Sequence, residues 1–245
     1  MADAKPPPRI SHRLAAETAA ERNRDSMNVF DILGPVMIGP SSSHTAGAAR
    51  IGLITRRLLG TEPVKADILL HGSFARTYRG HGTDKALIAG ILGFETDDIR
   101  IRNAPEIAEE RGIKVTFTTG EIPDAHPNTA RITLTDADGH TVTLTGSSIG
   151  GGNILITELN GLSVRITGER ITLIVLHRDR PGIIAAVTEI LASEGVNICN
   201  FRLSREEPGG EAVMTIEIDG SFGEALNARI AALPDIYSST MLQPI

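Results

Sequence analysis

The chain has 245 residues, of which 41% are apolar, and its 24 Lys and Arg against 30 Asp and Glu give a formal net charge of −6. This length can bury one large core or two small ones, so two domains are expected. The acidic balance, without a basic stripe that carries interleaved aromatics, argues against nucleic acid and anionic membranes as partners. No apolar run approaches the roughly 20 residues that a membrane-spanning helix needs.

The chain contains a single cysteine, Cys199. It excludes an intrachain disulfide and is typical of a protein of the reducing cytoplasm. It also excludes a zinc or iron-sulfur site built from this chain's own thiolates, since such sites take several cysteines. No metal ligand is therefore predicted here, and Cys199 is expected to be a small buried hydrophobe on a strand.

Residues 1–27 are predicted to form a mobile extension. Residues 13–25 are Ala-rich and charged but have no apolar face, and their acidic residues are atypical of a transit peptide. Met27 directly precedes the first apolar segment, so it is an alternative start of the native protein. The intact mass of the native protein would show whether it starts at Met1 or at Met27.

The most informative segment runs from Gly39 to Gly47 and contains three serines, a histidine and a threonine within nine residues. An apolar period predicts a helix directly after it: Ala48, Ile51, Ile54, Leu58 and Leu59. Unpaired amides and the positive end of the dipole at a helix N-terminus favour a carboxylate or a phosphate. The hydroxyls predicted to bind such an anion are those of Ser41, Ser42, Ser43 and Thr45, although one of them could serve only as a helix cap.

His44 is predicted to transfer a proton, because its ordinary pKa lies near neutral pH. Neither of two familiar serine motifs accounts for its neighbours. The Gly-x-Ser-x-Gly turn of serine hydrolases is absent from the Gly39–Gly47 segment, and no Gly-Lys-Ser/Thr follows it as in a P-loop.

Residues 28–161 have the mixed pattern of an α+β domain. After the first helix come a strand at Val64–Leu70, a helix near Asp84–Leu92, and strands at Lys114–Thr119, Arg131–Thr135, Thr141–Thr145 and Ile154–Leu159. Asp138-Gly139 predicts a hairpin. Gly150-Gly151-Gly152 is interpreted as a turn, with an anion-binding nest as the alternative.

Residues 170–245 alternate as βαββαβ, which is a ferredoxin-like unit. The elements are Ile171–Leu176, a helix from Pro181-Gly182 to Gly195, Val196–Leu203, a strand with Met214, Ile216 and Ile218, a helix at Phe222–Leu233, and Ile236–Leu242. Asp179 is a candidate N-cap of the first helix.

This unit carries His177-Arg178-Asp179-Arg180-Pro181-Gly182 at its first turn and Gly195-Val196-Asn197-Ile198 after its first helix, and it resembles the ACT domain. ACT domains are small amino-acid sensor modules. The resemblance implies that His177, Asp179 and Asn197 bind an amino-acid effector. The alternative is that Asp179 caps the helix and His177 only ends a strand, since many such modules do no more than dimerise.

The preceding domain resembles the β subunit of the iron-sulfur-dependent L-serine dehydratases of the two-subunit bacterial type. The resemblance extends from Asn28 to the C-terminus. Its motifs are Val36-Met37-Ile38 followed by the Gly39–Gly47 segment, Gly72-Ser73-Phe74-Ala75, Gly80-His81-Gly82-Thr83-Asp84, His126-Pro127-Asn128 and Ser148-Ile149-Gly150-Gly151-Gly152-Asn153-Ile154.

The resemblance implies a lyase subunit that converts L-serine to pyruvate and ammonia with a [4Fe-4S] cluster ligated by a separate, Cys-bearing α subunit. It implies that His44 is catalytic and that the substrate-binding residues include Ser41, Ser42, Ser43, Thr45, His81, Thr83, Asp84 and Asn128. For His81, Thr83 and Asp84 the alternative is a capped helix start.

A different class of function stays open. The chain could be a non-catalytic regulatory protein that binds an amino acid, because the first domain also resembles effector-binding domains that accompany ACT modules in serine-pathway dehydrogenases. In either case the exposed edge strands of a βαββαβ module predict a homodimer through residues 170–245.

Overall fold

The computed structural model describes residues 41–220 and 223–245, so the predicted extension, Gly39, Pro40 and Phe222 lie outside the described part. Its elements are a π-helical turn (Ser42–Ala46), α1 (Gly47–Leu59), β1 (Pro63–His71), α2 (Gly72–His81), α3 (Thr83–Ile91), a 3-10 turn (Ile99–Asn103), α4 (Ala104–Glu110), β2 (Lys114–Thr119), β3 (Asn128–Asp136), β4 (Thr141–Gly150), β5 (Asn153–Leu159), β6 (Leu162–Ile166), β7 (Thr172–Arg178), α5 (Ile183–Ser193), β8 (Asn197–Arg205), β9 (Glu211–Asp219), α6 (Glu224–Ala231) and β10 (Ile236–Leu242). None of these helices combines the length and the apolar character that crossing a membrane would take.

The first sheet has six strands in the order β2-β1-β3-β4-β5-β6. Only β1 and β2 are parallel, and the segment between them contains α2, α3 and α4. Helix α1 packs against β3, β4 and β5 on one face of the sheet, and α3 packs against α1. Their contact buries apolar side chains that include Ile51, Ile54, Leu87, Ile132 and Leu144.

The second sheet is antiparallel in the order β10-β7-β9-β8, which confirms the ferredoxin-like βαββαβ unit and the α+β class. Helices α5 and α6 bury Val187, Leu191 and Ile230 against it. The other face contributes Ile174 and Val213 to the core of the first domain. The two sheets are thus joined by one continuous apolar cluster.

Helices α2 and α4, the 3-10 turn and strand β6 of the first domain were not predicted, and α2 and β6 were missed for different reasons. Helix α2 has glycine near both ends and buries only Phe74, so its sequence has no apolar stripe. Strand β6 follows β5 after a two-residue turn at Asn160 and Gly161, both at positive φ, and it is only five residues long. Its alternation of buried and exposed positions becomes visible only beside β5.

Two predictions about the second domain were wrong. Cys199 is exposed, because it occupies an irregularity in the pairing of edge strand β8 with β9. Asp179 does not cap α5, whose N-cap is Gly182 without a side-chain hydrogen bond. The Asp179 carboxylate instead accepts the Gly209 amide at 3.0 Å and pairs with Arg205.

Helices α1 and α3 approach each other so closely that only glycine fits at the contact. A Cβ atom on Gly90 would lie 2.0 Å from the carbonyl oxygen of Ala49, and one on Gly52 would lie 2.4 Å from that of Leu87. Both obstacles are backbone atoms, which cannot move aside without shifting a helix. The distance between α1 and α3 is therefore determined by these two glycines.

We expect Gly90→Ala to lower the free energy of unfolding by about 1–3 kcal/mol, the usual cost of overpacking, despite the better helix propensity of alanine. Urea denaturation followed by circular dichroism measures this. The matched control is Gly80→Ala in α2, where an added Cβ meets nothing within 4 Å; it should be neutral or stabilising by up to about 1 kcal/mol. Equal effects of the two substitutions would contradict the role given to the helix contact.

Candidate active site

His44 lies in the π-helical turn that precedes α1 and is only 9% exposed. Its Nδ1 atom is 3.4 Å from the Ser41 hydroxyl, and its Nε2 atom is 3.3 Å from the hydroxyl of Ser73 at the start of α2. A hydroxyl can donate or accept, so this arrangement suits either tautomer of the neutral ring. The imidazole is held in place at both nitrogens.

Two further rings border the His44 imidazole. The centroid of Phe74 is 5.3 Å away and that of His81 is 4.7 Å away, both in edge-to-face arrangements. Burial lowers the pKa of His44 below its ordinary value, and the positive charge that His81 can carry lowers this pKa further. The ring is therefore neutral at neutral pH and can accept a proton.

Three hydroxyls on or beside the turn are buried without a hydrogen-bond partner among the described residues: those of Thr45, Thr83 and Ser148. Thr83 begins α3 and Ser148 lies on β4, and both elements contact the turn. Ser148 lies so near α1 that a Cβ on Gly47 would be 2.0 Å from its Oγ atom. Because an unpaired buried hydroxyl is unfavourable, the cluster indicates a binding site for a polar ligand.

One of the predicted anion-binding serines is also the helix cap. The Ser41 hydroxyl accepts the His44 amide at 3.3 Å, and the Ser41 carbonyl accepts the Thr45 amide at 2.8 Å. Ser42 and Ser43 lie half-buried on the same turn. The capping alternative therefore holds for Ser41 alone.

The segment from His81 to Asp84 divides between two surfaces. His81 contacts His44, and the buried Thr83 hydroxyl has no partner, since the N-cap of α3 is Gly82 and no side chain caps it. Asp84 accepts only the amide of its neighbour Lys85 and lines a separate groove. The structure therefore brings His81 and Thr83, but not Asp84, to the His44 cluster.

Asn128 lies at the edge of this cluster. It forms an isolated β-bridge with Gly72, and the preceding Pro127 carbonyl accepts the Ser73 amide at 2.6 Å. This link connects the start of β3 to the start of α2. The half-buried Asn128 is thus next to the residue that contacts His44.

Sequence reasoning gave no role to three residues that the structure places here. Ser73, Phe74 and Ser148 were visible only as members of motifs, and the crossing of α2, β4 and the turn is what brings them to His44. The turn Gly150-Gly151-Gly152, with all three φ angles positive, joins β4 to β5 as interpreted.

Arg50 was also missed, and it lies half-buried on α1, beyond Gly47. Its Nη1 atom donates to the Gly152 carbonyl at 2.8 Å, while its Nε atom is buried without a partner. Burial lowers the pKa of Arg50, although a guanidinium remains charged at any physiological pH. This charge is the nearest in sequence to the hydroxyl-rich turn.

One cluster of potential metal ligands occurs in the described residues, at the β3–β4 hairpin: Asp136, Asp138 and His140. The Asp136 carboxylate already accepts the Thr61 hydroxyl at 2.8 Å and the His140 amide at 2.8 Å. Burial by itself would raise the pKa of Asp136, but these hydrogen bonds and the His140 side chain lower it to about 2. The hydrogen bonds within the hairpin therefore explain why these three side chains lie together.

The predicted effector residues occupy both ends of the second sheet. His177 is 1% exposed, its Nδ1–H donates to the Arg178 carbonyl at 2.8 Å, and its Nε2 atom has no partner. The Gly209 amide and the Arg205 guanidinium lower the pKa of the nearby Asp179. This end of the domain therefore presents a buried acceptor nitrogen beside a carboxylate.

Asn197 lies at the opposite end. It is opposite Asp219 on β9, whereas His177 is opposite Ala212, seven residues away along the same strand. At about 3.3 Å per residue this is roughly 23 Å. One amino acid cannot contact all three residues within one chain.

Both domains match known protein families. Residues 28–158 match the model of the serine dehydratase beta chain family, and residues 173–238 match the acetohydroxyacid synthase small-subunit-like ACT domain. The chain is 48% identical to the probable L-serine dehydratase beta chain of Bacillus subtilis, with 88% of this chain and 97% of that protein covered. It is 38% identical to the L-serine dehydratase beta chain of Peptoniphilus asaccharolyticus over 83% and 92% of the two chains.

A third relative belongs to another class. The D-3-phosphoglycerate dehydrogenase of Methanocaldococcus jannaschii is 29% identical, and the match covers 81% of this chain but only 37% of that enzyme. The two-domain unit is therefore found beyond the serine dehydratases.

The pKa of His44 should lie below its ordinary value of 6.5 and should rise in His81→Gln, which removes a neighbouring positive charge. It should remain below that value, because burial is the larger cause. NMR titration of the imidazole nitrogens measures both shifts. His140→Gln changes a 76% exposed ring on the hairpin and should leave His44 unaffected. An unchanged pKa of His44 in His81→Gln would refute the coupling.

Proposed function

Because the chain belongs to the serine dehydratase beta chain family, we propose that it is the β subunit of an L-serine dehydratase that converts L-serine to pyruvate and ammonia together with a separate α subunit. The observation that carries the proposal is the neutral, buried His44 within a cluster of unpaired hydroxyls. The proposed location is the cytoplasm, since its reducing conditions would keep the single exposed thiol of this chain reduced.

The hydroxyl-rich turn would hold the carboxylate of the substrate. The hydroxyls of Ser42, Ser43 and Thr45 lie at the start of α1, where the helix dipole favours a negative charge. The Thr83 and Ser148 hydroxyls would complete the contacts, because a bound polar group gives each the partner that it lacks. Binding would thus fix the Cα atom of serine relative to His44.

His44 would take up the α-proton of serine. Its ring is neutral, so one nitrogen is unprotonated and can accept a proton, and the Ser41 and Ser73 hydroxyls at its two nitrogens fix its orientation. Loss of that proton and of the β-hydroxyl gives an enamine. Its tautomer, an imine, is hydrolysed to pyruvate and ammonia.

The [4Fe-4S] cluster expected for this reaction does not fit on this chain. Cluster sites require several thiolates, and Cys199 is alone and lies exposed on β8 of the second domain. We therefore assign the cluster to the α subunit. The residues of this chain would bind and deprotonate the substrate.

A purely regulatory function is the second candidate, favoured by the shared two-domain unit of the Methanocaldococcus jannaschii dehydrogenase. An effector pocket has no need of a proton acceptor, so the buried His44 favours the lyase. Anaerobic reconstitution with the α subunit, followed by assay of serine-dependent pyruvate, separates the two. An iron-loaded complex that forms no pyruvate would refute the lyase.

In that complex, His44→Gln should reduce kcat by roughly 10²–10⁴, the usual contribution of a general base, with little change in KM. Glutamine retains the size and the hydrogen bonds of histidine but accepts no proton at neutral pH. His140→Gln serves as the control and should behave like the wild type. If His44→Gln keeps activity within a few-fold of the wild type, His44 is not the base, even if the wild-type complex forms pyruvate.

The second domain would bind an amino-acid effector at the interface of a homodimer. The buried Nε2 atom of His177 can accept a hydrogen bond from an ammonium group, and Asp179 adds a negative charge beside it. Asn197 is too distant within one chain, so it would have to come from the second copy. Edge strand β8 is the proposed contact, since Phe201 and Leu203 are 36% and 39% exposed there.

We expect Phe201→Arg to convert the dimer to a monomer, because the new positive charge would be buried in the interface with the second copy of the chain. Light scattering after size-exclusion chromatography gives the mass directly. Tyr237→Arg is the control on the other edge strand, β10, where Tyr237 is 60% exposed. A dimer that survives Phe201→Arg but not Tyr237→Arg would place the interface on β10 instead.

A further inference from the structure

A cavity of about 320 Å³ lies between the two sheets. Residues of β5 and β6 line one side of it, and residues of β8 and β9 line the other. The cavity is separate from the His44 cluster, since it shares no lining residue with it. The cavity therefore lies at the contact between the two domains, which we call the seam.

Two arginines, Arg165 and Arg202, line this cavity. Most arginine side chains in the described ranges donate to a carboxylate or a carbonyl, for example Arg50, Arg57, Arg131, Arg180 and Arg229. Arg165 and Arg202 have no such partner anywhere in residues 41–220 or 223–245. Both arginine side chains are exposed and the lining contains no carboxylate, so no protein group in the cavity pairs with the two positive charges.

Three hydroxyls add further donors to the cavity: those of Ser163, Ser204 and Thr215. Thr215 is 5% exposed and its hydroxyl has no hydrogen-bond partner in the described part of the chain. Arg202 is opposite Thr215 in the pairing of β8 with β9, so the two side chains share a face of the sheet.

That face is directed toward the first domain. Thr215 is also opposite Ile174 on β7, and Ile174 belongs to the apolar cluster that the two sheets share. Strand β6 contacts both β8 and β9, and it supplies Ser163 and Arg165. The donors of the two domains therefore converge on one space.

We propose that this cavity binds a small metabolite that carries a phosphate or a carboxylate group. A guanidinium presents a planar fork of N–H donors that matches either group with two parallel hydrogen bonds. Two unpaired guanidinium groups around one space repel each other, and an anion between them converts this repulsion into attraction. Val164 and Val213 supply an apolar wall for the rest of the molecule.

Such a ligand would contact both domains at once, so its binding would stabilise their contact and raise the unfolding temperature by mass action. This inference is independent of the proposed catalytic function, because it concerns other residues and needs no turnover. The α subunit is not required to test it.

The test is thermal unfolding of the full chain in increasing inorganic phosphate, and separately in acetate, each against sodium chloride at equal ionic strength. We expect a saturable rise in Tm with one of the two anions, which identifies the charged group. In Arg165→Gln/Arg202→Gln the apparent affinity should fall by roughly tenfold or more for each arginine removed. Arg202→Lys keeps the charge but not the fork, and should weaken binding without abolishing it.

The matched control is Arg76→Gln/Arg102→Gln, which removes two exposed arginines that do not line this cavity and changes the net charge equally. It should retain the full response. The proposal is overturned if neither anion gives a saturable response in the wild type. It is equally overturned if the response persists in Arg165→Gln/Arg202→Gln, because the anion then binds elsewhere, for example at the hydroxyl-rich turn.

Discussion

The close contact of α1 with α3 and β4 is the constraint on which the site depends. Because Gly52 and Gly90 have no Cβ, the two helices meet backbone to backbone, and Gly47 leaves room beside α1 for the side chain of Ser148 on β4. A larger residue at any of these positions would place its Cβ within 2.4 Å of a neighbouring oxygen, so α1 or its neighbour would have to shift. The π-helical turn is continuous with α1, so the position of His44 follows from this packing.

The site combines two features that are unfavourable for folding. A histidine is buried beside a second histidine, which disfavours its charged form, and three hydroxyls are buried without partners. Each such hydroxyl costs on the order of 1–3 kcal/mol, which the surrounding apolar core has to offset. The apolar core that α1 buries against β3 and β4 lies next to the turn and provides that offset. A polar ligand can form hydrogen bonds with these hydroxyls, which have no partner in the fold itself.

Sequence patterns predicted most of the fold, because most of its elements have a regular apolar period. The helix with Ile51 and Ile54 and the four strands of the second sheet follow from such periods. Helix α2 was missed because glycine and arginine replace its apolar stripe, yet it carries Ser73 and Phe74 to His44. Cys199 was placed wrongly because local apolar neighbours do not reveal an irregular edge strand. Residues that contacts between distant elements bring to the His44 cluster, such as Ser148, have no local signal at all.

The second domain contacts the first through a shared apolar surface. Ile174 and Val213 are part of the first domain's core, and the amide of Ile245 donates to the Gly168 carbonyl in the connection between the domains. A change in the second sheet therefore has to repack side chains that also touch β6. From β6 the path to the His44 cluster passes through β5 and β4, which carries Ser148. A ligand bound at the seam between the two sheets would thus contact the same sheet that carries Ser148.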